Sequence, residues 1–339
     1  MNILIGGSLE SCTGAEELQI ATALADTLKA QGHTTDMFML PYEPDAQGLP
    51  EQITALHMLT LESTDLLITV GYPALFLPHA RKSCYLLKTA PMLFEYWDTE
   101  YGALYNPSFY RIKEAVTKAE RRCLQESKTI VCGSNLLRQD LEGRYSIQPH
   151  VCYYPAFADE IEDENFFNEF PPKTYFVTES DLFPATRMEL LIDVVKTSKA
   201  NWKLKWYVPR TQITYLEALH ELIQQNNLSS RIQIIPTRCP YATMQSALAY
   251  VTLLYETRKI PESFMRAFDC GVPIIAPQDA GAVLELADSK NNNIVQPNNF
   301  ALAHVLDTLF TKKKVTKIAD PSRDIKTSSI QELAKRLVG

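Results

Sequence analysis

The feature that most constrains the fold is an alternation of short apolar runs with segments of helical periodicity, which continues along nearly the whole chain of 339 residues. The apolar runs have the length of β-strands, and such alternation is typical of parallel sheets covered by helices on both faces. A chain of this length usually contains two cores rather than one. We therefore predict an α/β fold with two Rossmann-like, doubly wound parallel-sheet domains that face a cleft.

An acidic segment divides the alternation into two halves. Residues Ala158–Pro172 carry six carboxylates and end in two prolines, a composition that is typical of a solvated linker. We predict a first domain over 1–158, a linker over 159–172 and a second domain over 173–320. The last segment, 321–339, is predicted to contain a helix that crosses back onto the first domain, because so short a helix needs a surface to pack on.

The composition excludes several classes of protein. The chain has 33 Lys and Arg against 40 Asp and Glu, a net charge of -7, so no global positive field attracts nucleic acid or an anionic membrane. No apolar run approaches the roughly 20 residues that span a bilayer. The seven cysteines form no C-x-x-C pair, which argues against a zinc site or a disulfide framework. We expect a cytoplasmic protein with no metal, no nucleic-acid partner and no transmembrane segment.

A glycine-containing loop is predicted after the first strand, Asn2–Ile5. Gly6, Gly7 and Gly14 follow that strand, but their spacing matches neither the G-x-G-x-x-G turn of dinucleotide-binding proteins nor a phosphate-binding loop. Glycines at this place would let a ligand approach the main chain. A hydroxyl-rich ligand fits this loop better than a phosphate does, and a loop without a binding role is the open alternative.

A second charged loop follows the predicted strand Val251–Tyr255. It carries Glu256, Arg258, Lys259 and Glu262 before a short helix and another strand. Because binding loops follow the carboxyl ends of parallel strands, we expect these acidic and basic side chains to form part of a site. A solvated surface loop is the open alternative.

The segment after this loop reads Cys270-Gly271-Val272-Pro273-Ile274-Ile275, and Ala280-Gly281 and Glu285 follow it. This order resembles the donor domain of the family-4 retaining glycosyltransferases of GT-B fold. Further similar motifs occur in the family's order and extend the resemblance from residue 3 to about residue 310. They are Gly14-Ala15-Glu16, Lys128–Ser134, Tyr153-Tyr154-Pro155 and Asn298–Ala303.

The resemblance implies a hexosyltransferase-type glycosyltransferase that moves a sugar from a nucleotide-diphosphate sugar on the second domain to a hydroxyl-bearing acceptor on the first. It also implies retention of the anomeric configuration, without a metal or a cofactor, and catalysis by electrostatic stabilisation of the leaving diphosphate. Glu256 and Glu262 are the candidate catalytic residues. The candidate donor-binding residues are Arg187, Arg210, Arg238, Tyr241, Arg258, Lys259, Gly281 and Glu285.

The candidate acceptor-binding residues lie in the predicted first domain. Lys88, Glu95 and Trp97 follow the predicted strand Ser83–Leu87. The Trp97 ring suits the face of a sugar and the Glu95 carboxylate suits its hydroxyls, although a core aromatic cluster is the open alternative. The complete acceptor-side set is Gly6, Gly7, Gly14, Lys88, Glu95 and Trp97.

Two departures from the family pattern put activity in doubt. The Arg and Lys that hold the donor diphosphate in the family correspond here to Asp181 and Thr186, and only the neighbouring Arg187 offers a replacement. The family's paired glutamates correspond, without gaps, to Arg258 and Arg266. A second hypothesis is therefore a catalytically silent GT-B-like partner or chaperone of an active glycosyltransferase. A third is a nucleotide-sugar epimerase of the same fold, for which no histidine–carboxylate pair is visible.

Overall fold

The computed structural model describes most of the chain, in nine stretches. They are residues 1–10, 15–61, 64–102, 107–153, 173–180, 184–209, 213–287, 293–312 and 329–339. Contacts divide the chain into two compact units. Unit 1 contains Met1–Pro155, Arg258–Ile260 and Thr327–Gly339, and unit 2 contains Ala156–Thr257 and Pro261–Lys326. The predicted linker over 159–172 lies outside the described residues.

Unit 1 is built on a sheet of six parallel strands. The strands are β1 Asn2–Glu10, β2 Thr34–Tyr42, β3 Leu66–Val70, β4 Lys82–Leu86, β5 Thr129–Cys132 and β6 His150–Val151. Their order in the sheet is β2-β1-β3-β4-β5-β6, and Ile5 of β1 lies opposite Met37 of β2 and Ile68 of β3. Both β3 and β4 are buried along their whole length, as expected for parallel strands covered on both faces.

Unit 2 repeats this architecture with a second parallel sheet. Its strands are β7 Tyr175–Glu179, β8 Lys203–Tyr207, β9 Ile232–Ile235, β10 Tyr250–Val251, β11 Ile274–Pro277 and β12 Asn293–Val295. The order is β12-β11-β10-β7-β8-β9. The prediction of two doubly wound parallel sheets is confirmed. The predicted extent of one strand, Val251–Tyr255, is wrong, because β10 ends at Val251.

Helices cover these sheets. They are α1 Ala15–Ala30, α2 Leu49–His57, α3 Pro107–Gln125, α4 Asn135–Tyr145, α5 Met188–Thr197, α6 Ile213–Gln225, α7 Tyr241–Ser246, α8 Glu262–Asp269, α9 Asn299–Lys312 and α10 Ile330–Val338. In the described parts of the chain, no helix is both long enough and apolar enough to span a bilayer. The last helix, α10, packs on α1, β4 and β5 of unit 1, where Leu333, Ala334 and Leu337 are buried.

Gly6 and Gly7 lie inside β1 and not in a loop, so the predicted position of these two glycines is wrong. Strand β1 continues to Glu10, and both glycines make room for neighbouring side chains. A Cβ on Gly6 would lie 2.7 Å from Cδ1 of Leu77, and one on Gly7 would overlap Met39. The two glycines are therefore explained by packing. Gly14, the third glycine of this set, lies outside the described residues.

Candidate functional site

The strand order marks one place in each unit where a binding site is expected. In a doubly wound sheet, ligands bind at the carboxyl ends of the strands, beside the point where the strand order reverses. In unit 1 this point lies between β1 and β3, and in unit 2 it lies between β7 and β10. Most of the described candidate residues follow strands near these two points, and we treat each unit separately.

In unit 1, charged side chains gather at the carboxyl ends of β1, β3 and β4. Glu10, the last residue of β1, forms an ion pair with Lys88, which follows β4. Glu17 of α1 lies over Gly71, the residue after β3. Gly71 has a φ of +82°, and a Cβ at this position would lie 2.7 Å from Cγ of Glu17. Both the backbone conformation and the contact therefore require a glycine at position 71.

The short stretch Arg258–Ile260 belongs to unit 1, which corrects the placement of Arg258 and Lys259 in the donor domain. Lys259 forms an ion pair with Glu16 at the start of α1. Burial alone would lower the pKa of Lys259, but the neighbouring Glu16 and Glu17 reverse that effect and raise it. The physical reason for the placement is charge, because carboxylates of unit 1 neutralise this cation.

Arg258 is held by three groups of unit 1. Its N–H donates a hydrogen bond of 3.1 Å to Oε2 of Glu95, and its carbonyl accepts one of 2.5 Å from Oγ of Ser134. Its Nε lies 3.5 Å from a carboxylate oxygen of Asp140. The structure therefore brings two candidates together, Arg258 and Glu95, that were predicted for different domains.

Two carboxylates of this edge are buried and incompletely paired. Burial raises the pKa of Glu17 although Lys259 and Lys88 oppose the shift, and burial raises the pKa of Glu95 although Arg258 opposes it. Among the described residues, Oε2 of Glu17 and Oε1 of Glu95 are buried without a hydrogen-bond partner. Unsatisfied buried oxygens are uncommon in folded proteins and call for an explanation.

Trp97 is part of the hydrophobic core of unit 1. The ammonium of Lys113 lies 3.9 Å from the centre of its ring, and Tyr110 packs against it edge-on at 5.0 Å. The core alternative for this aromatic residue therefore agrees with its surroundings, and a sugar would have to replace Lys113 in order to stack on that face.

In unit 2, Arg187 spans the point of strand reversal. Its guanidinium donates hydrogen bonds to the carbonyls of Leu253 and Leu254, at 2.6 and 2.8 Å. Two further bonds of 2.8 Å reach the two carboxylate oxygens of Asp279. Such a bidentate pair is strong and geometrically specific. A diphosphate would therefore have to compete with Asp279 for this cation.

The candidates Arg238 and Glu262 form an ion pair with each other. Glu262 is the first residue of α8 and is buried, and the two guanidinium nitrogens of Arg238 lie 3.1 and 2.9 Å from its two oxygens. One predicted donor-binding residue, Arg238, and one predicted catalytic carboxylate, Glu262, thus neutralise each other. Tyr241 begins α7 close by in sequence, and Arg210 lies outside the described residues.

Sequence reasoning missed a buried pair behind these residues. Arg266 of α8 is 2% exposed; it donates hydrogen bonds of 2.5 Å to Oε1 of Glu179 and of 2.9 Å to the carbonyl of Cys239. Burial raises the pKa of Glu179 although Arg266 opposes the shift. The signal was an arginine flanked on both sides by apolar residues, Phe264-Met265 and Ala267-Phe268, since a charge buried among apolar residues needs a partner.

Glu256 is exposed and has a φ of 40°. Its N–H donates a 2.7 Å hydrogen bond to the carbonyl of Asp279, and the carbonyl of Thr257 accepts one of 2.7 Å from Ala282. A Cβ on Gly281 would lie 2.8 Å from the carbonyl carbon of Glu256. Gly281 is therefore required by backbone packing. Glu285 ends the short 3-10 turn that Gly281 begins.

The described residues contain no group of three or more His, Cys, Asp or Glu side chains arranged to hold a metal ion. The two six-stranded parallel sheets with their covering helices give the chain the GT-B fold, the two-domain α/β architecture of a large class of glycosyltransferases. No protein-family model matches the sequence, and no curated protein matches it either.

Solved structures of glycosyltransferases share this fold along nearly the full chain. Anabaena HepE, solved with UDP and glucose, is 15% identical and aligns over 99% of this chain and 95% of its own with a TM-score of 0.64. WaaG, a glycosyltransferase involved in lipopolysaccharide biosynthesis, is 13% identical over 100% of both chains with a TM-score of 0.69. Sucrose-phosphate synthase from Thermosynechococcus elongatus is 13% identical over 99% of this chain and 95% of its own, at 0.68. At these identities the likeness establishes the fold.

Proposed function

We propose that the chain is a family-4 type glycosyltransferase that moves a hexose from a nucleotide-diphosphate sugar to a hydroxyl-bearing acceptor, with retention and without a metal or a cofactor, in the cytoplasm. The observation that carries the proposal is the shared fold along nearly the whole chain with glycosyltransferases, among them HepE solved with UDP and glucose or with UDP-glucose. Fold alone leaves the chemistry to the site, so the residues must be tested directly.

In this proposal unit 2 binds the donor and unit 1 binds the acceptor. Arg187 contacts the leaving diphosphate, and the exposed carboxylate of Glu256 accepts hydrogen bonds from the donor sugar or ribose. The carboxylates of unit 1 accept hydrogen bonds from acceptor hydroxyls. Catalysis then consists of holding the acceptor hydroxyl beside the anomeric carbon and stabilising the charge of the leaving diphosphate.

The first experiment measures binding of UDP, GDP, ADP and their sugars to the full chain by calorimetry. We expect one nucleotide sugar to bind, and we expect its nucleotide to be released when the correct acceptor is added. NMR of the product then reports whether the anomeric configuration is retained. Binding of none of these nucleotides would contradict the proposal.

A matched pair of variants tests the role of Arg187. Asp279→Asn removes the carboxylate that neutralises its guanidinium, so UDP should bind several-fold more tightly while uridine, which lacks the diphosphate, is unaffected. Asp193→Asn is the control, because Asp193 is exposed and pairs with Lys196 on the surface of α5. An equal change in affinity for UDP and uridine would show that Arg187 does not contact the diphosphate.

A second candidate function, a catalytically silent partner of an active glycosyltransferase, is favoured by one specific observation. Three arginines near the carboxyl ends of the unit 2 strands are each bound to a carboxylate of the same unit. The pairs are Arg187–Asp279, Arg238–Glu262 and Arg266–Glu179. This second function would be supported if the chain bound no nucleotide and co-purified with an active glycosyltransferase.

A further inference from the structure

The carboxyl-terminal edge of the unit 1 sheet carries more negative than positive charge. Four glutamates gather there, and we name them the carboxylate cluster: Glu10, Glu16, Glu17 and Glu95. Two lysines lie among them. Lys88 pairs with Glu10, and Lys259 pairs with Glu16. The cluster therefore has two carboxylates more than it has lysines. Arg258 lies beside Glu95 and opposes the rise of its pKa, so Glu17 is the carboxylate in excess of the three cations.

Within the described parts of the chain, Glu17 and Glu95 each keep one oxygen without a hydrogen-bond partner, although the two residues are only 4% and 6% exposed. An acceptor atom buried in this way carries the full cost of its lost hydration. Glu95 accepts a hydrogen bond from the N–H of Arg258, and the next residue, Lys259, pairs with Glu16, the neighbour of Glu17, so both carboxylates lie in the same charged surroundings. A donor from outside the chain would complete the hydrogen bonding of both residues.

The cluster already accommodates primary ammonium groups. The ammonium of Lys259 lies against Glu16, and Glu16 and Glu17 favour its charged form. The side chain of Lys259 is 17% exposed and has a flexible four-carbon stem. An ammonium group on a small ligand can therefore exchange with the ammonium of Lys259 and meet the same carboxylates.

We propose that this edge of unit 1 recognises an acceptor that carries a primary ammonium group, of the amino-sugar class, and rejects phosphorylated or carboxylated acceptors. This inference rests on the proposed function and names the chemical class of its acceptor. An anion would be repelled by the four carboxylates, and the two lysines among them are already neutralised by Glu10 and Glu16. An ammonium group would instead donate charge-assisted hydrogen bonds to the carboxylate oxygens that lack a partner among the described residues.

The test uses the full chain at low ionic strength and without any nucleotide. The probes are glucosamine, N-acetylglucosamine, glucose and glucose 6-phosphate, and their binding is measured by ligand-observed NMR or calorimetry. We expect glucosamine to bind about tenfold more tightly than glucose or N-acetylglucosamine, because a hydrogen bond to a charged group exceeds a neutral one by about that factor. Glucose 6-phosphate should bind most weakly.

Variants of the cluster should change this preference in opposite directions. Glu17→Gln and Glu95→Gln keep the shape of the side chain and should reduce the preference for glucosamine severalfold. Lys259→Met removes the competing ammonium and should tighten glucosamine binding without changing that of glucose. Glu114→Gln is the control, because Glu114 is 67% exposed and pairs with Lys118 on α3.

Four results would each overturn the inference: no binding of glucosamine, equal binding of glucosamine and N-acetylglucosamine, preference for glucose 6-phosphate, or an unchanged preference in both glutamine variants. The separate measurement of nucleotide-sugar binding keeps the two proposals distinguishable. A chain that binds UDP-sugar but prefers neutral acceptors overturns this inference alone. A chain that prefers glucosamine but binds no nucleotide overturns the donor proposal alone.

Discussion

At the scale of single residues, Gly71 shows how closely the backbone and the site are connected. Replacing it by alanine should destabilise the chain by about 1–3 kcal/mol, because alanine is strained at a positive φ and its Cβ would lie 2.7 Å from Cγ of Glu17. Urea unfolding measures the change. Gly143→Ala is the control, since a Cβ there meets no atom of another described segment within 4 Å and alanine favours helix α4 by about 0.5–1 kcal/mol. Equal effects of the two variants would contradict the argument.

The buried carboxylate of Glu95 predicts a dependence of stability on pH. Burial raises its pKa above the ordinary 4.5, so the folded chain holds this proton more tightly than the unfolded chain does. The stabilisation is complete below about pH 4.5 and is lost as the pH rises through the raised pKa, by about 1.4 kcal/mol for each unit of pKa increase. Glutamine does not titrate, so the Glu95→Gln variant does not lose this stabilisation. The difference between its unfolding free energy and that of the unmodified chain should therefore increase with pH. Denaturant unfolding at several pH values from 4 to 8 tests the sign, and a difference that does not change with pH would refute it.

Charged pairs mark the limit of sequence reasoning at this scale. The sequence indicates that acidic and basic residues surround the strand ends, but it does not indicate which carboxylate meets which cation. Arg187 was expected to contact a diphosphate, and it contacts Asp279, which lies 92 positions further along the chain. Such partners depend on which loops the sheet order brings together, and several arrangements are compatible with the same residues.

At the scale of elements, helix α4 depends on a single capping side chain. Oγ of Ser134 accepts a 3.0 Å hydrogen bond from the N–H of Leu137 and donates one to the carbonyl of Arg258. Ser134→Ala removes both and should lower the unfolding free energy by about 1–2 kcal/mol. Ser329→Ala is the matched comparison, because Oγ of Ser329 caps α10 by accepting one hydrogen bond of 3.1 Å from the N–H of Glu332. A loss at Ser134 that is no larger than the loss at Ser329 would show that the bond to Arg258 contributes nothing.

The alternation of strands and helices was predictable because strands that are buried on both faces consist almost entirely of apolar residues. Strands such as β3 and β11 are buried at every position, and their apolar runs are visible in the sequence. Short elements were harder to predict. Helices α2 and α4 have only 9 and 11 residues, and glycines inside β1 suggested a loop where packing of Leu77 and Met39 requires small residues.

At the scale of the whole molecule, unit 1 needs helix α10. Helix α10 covers α1, whose residues Ile20, Leu24 and Leu28 are fully buried. Deleting residues 329–339 should therefore destabilise unit 1 more than unit 2, since removal of one buried leucine side chain alone costs about 2–5 kcal/mol. On deletion of these residues, amide hydrogen exchange should accelerate more in α1 than in α9 of unit 2.

Leu337→Ala is the milder variant of this test and should change exchange in the same direction. Arg336→Ala is its control, because the side chain of Arg336 is 35% exposed and pairs with Glu332 on the same helix. Equal acceleration of exchange in α1 and α9 would show that α10 does not act specifically on unit 1.

The division of unit 1 into Met1–Pro155, Arg258–Ile260 and Thr327–Gly339 has a consequence for synthesis on the ribosome. The nascent chain leaves the ribosome from its amino terminus, so every residue of unit 2 is translated before Thr327–Gly339. Until α10 has been translated, α1 lacks its cover and keeps apolar surface open to chaperones and to other nascent chains. Unit 1 is thus begun before unit 2 and completed after it, and a premature stop codon between the two units' last segments leaves unit 1 unfinished even where unit 2 is complete.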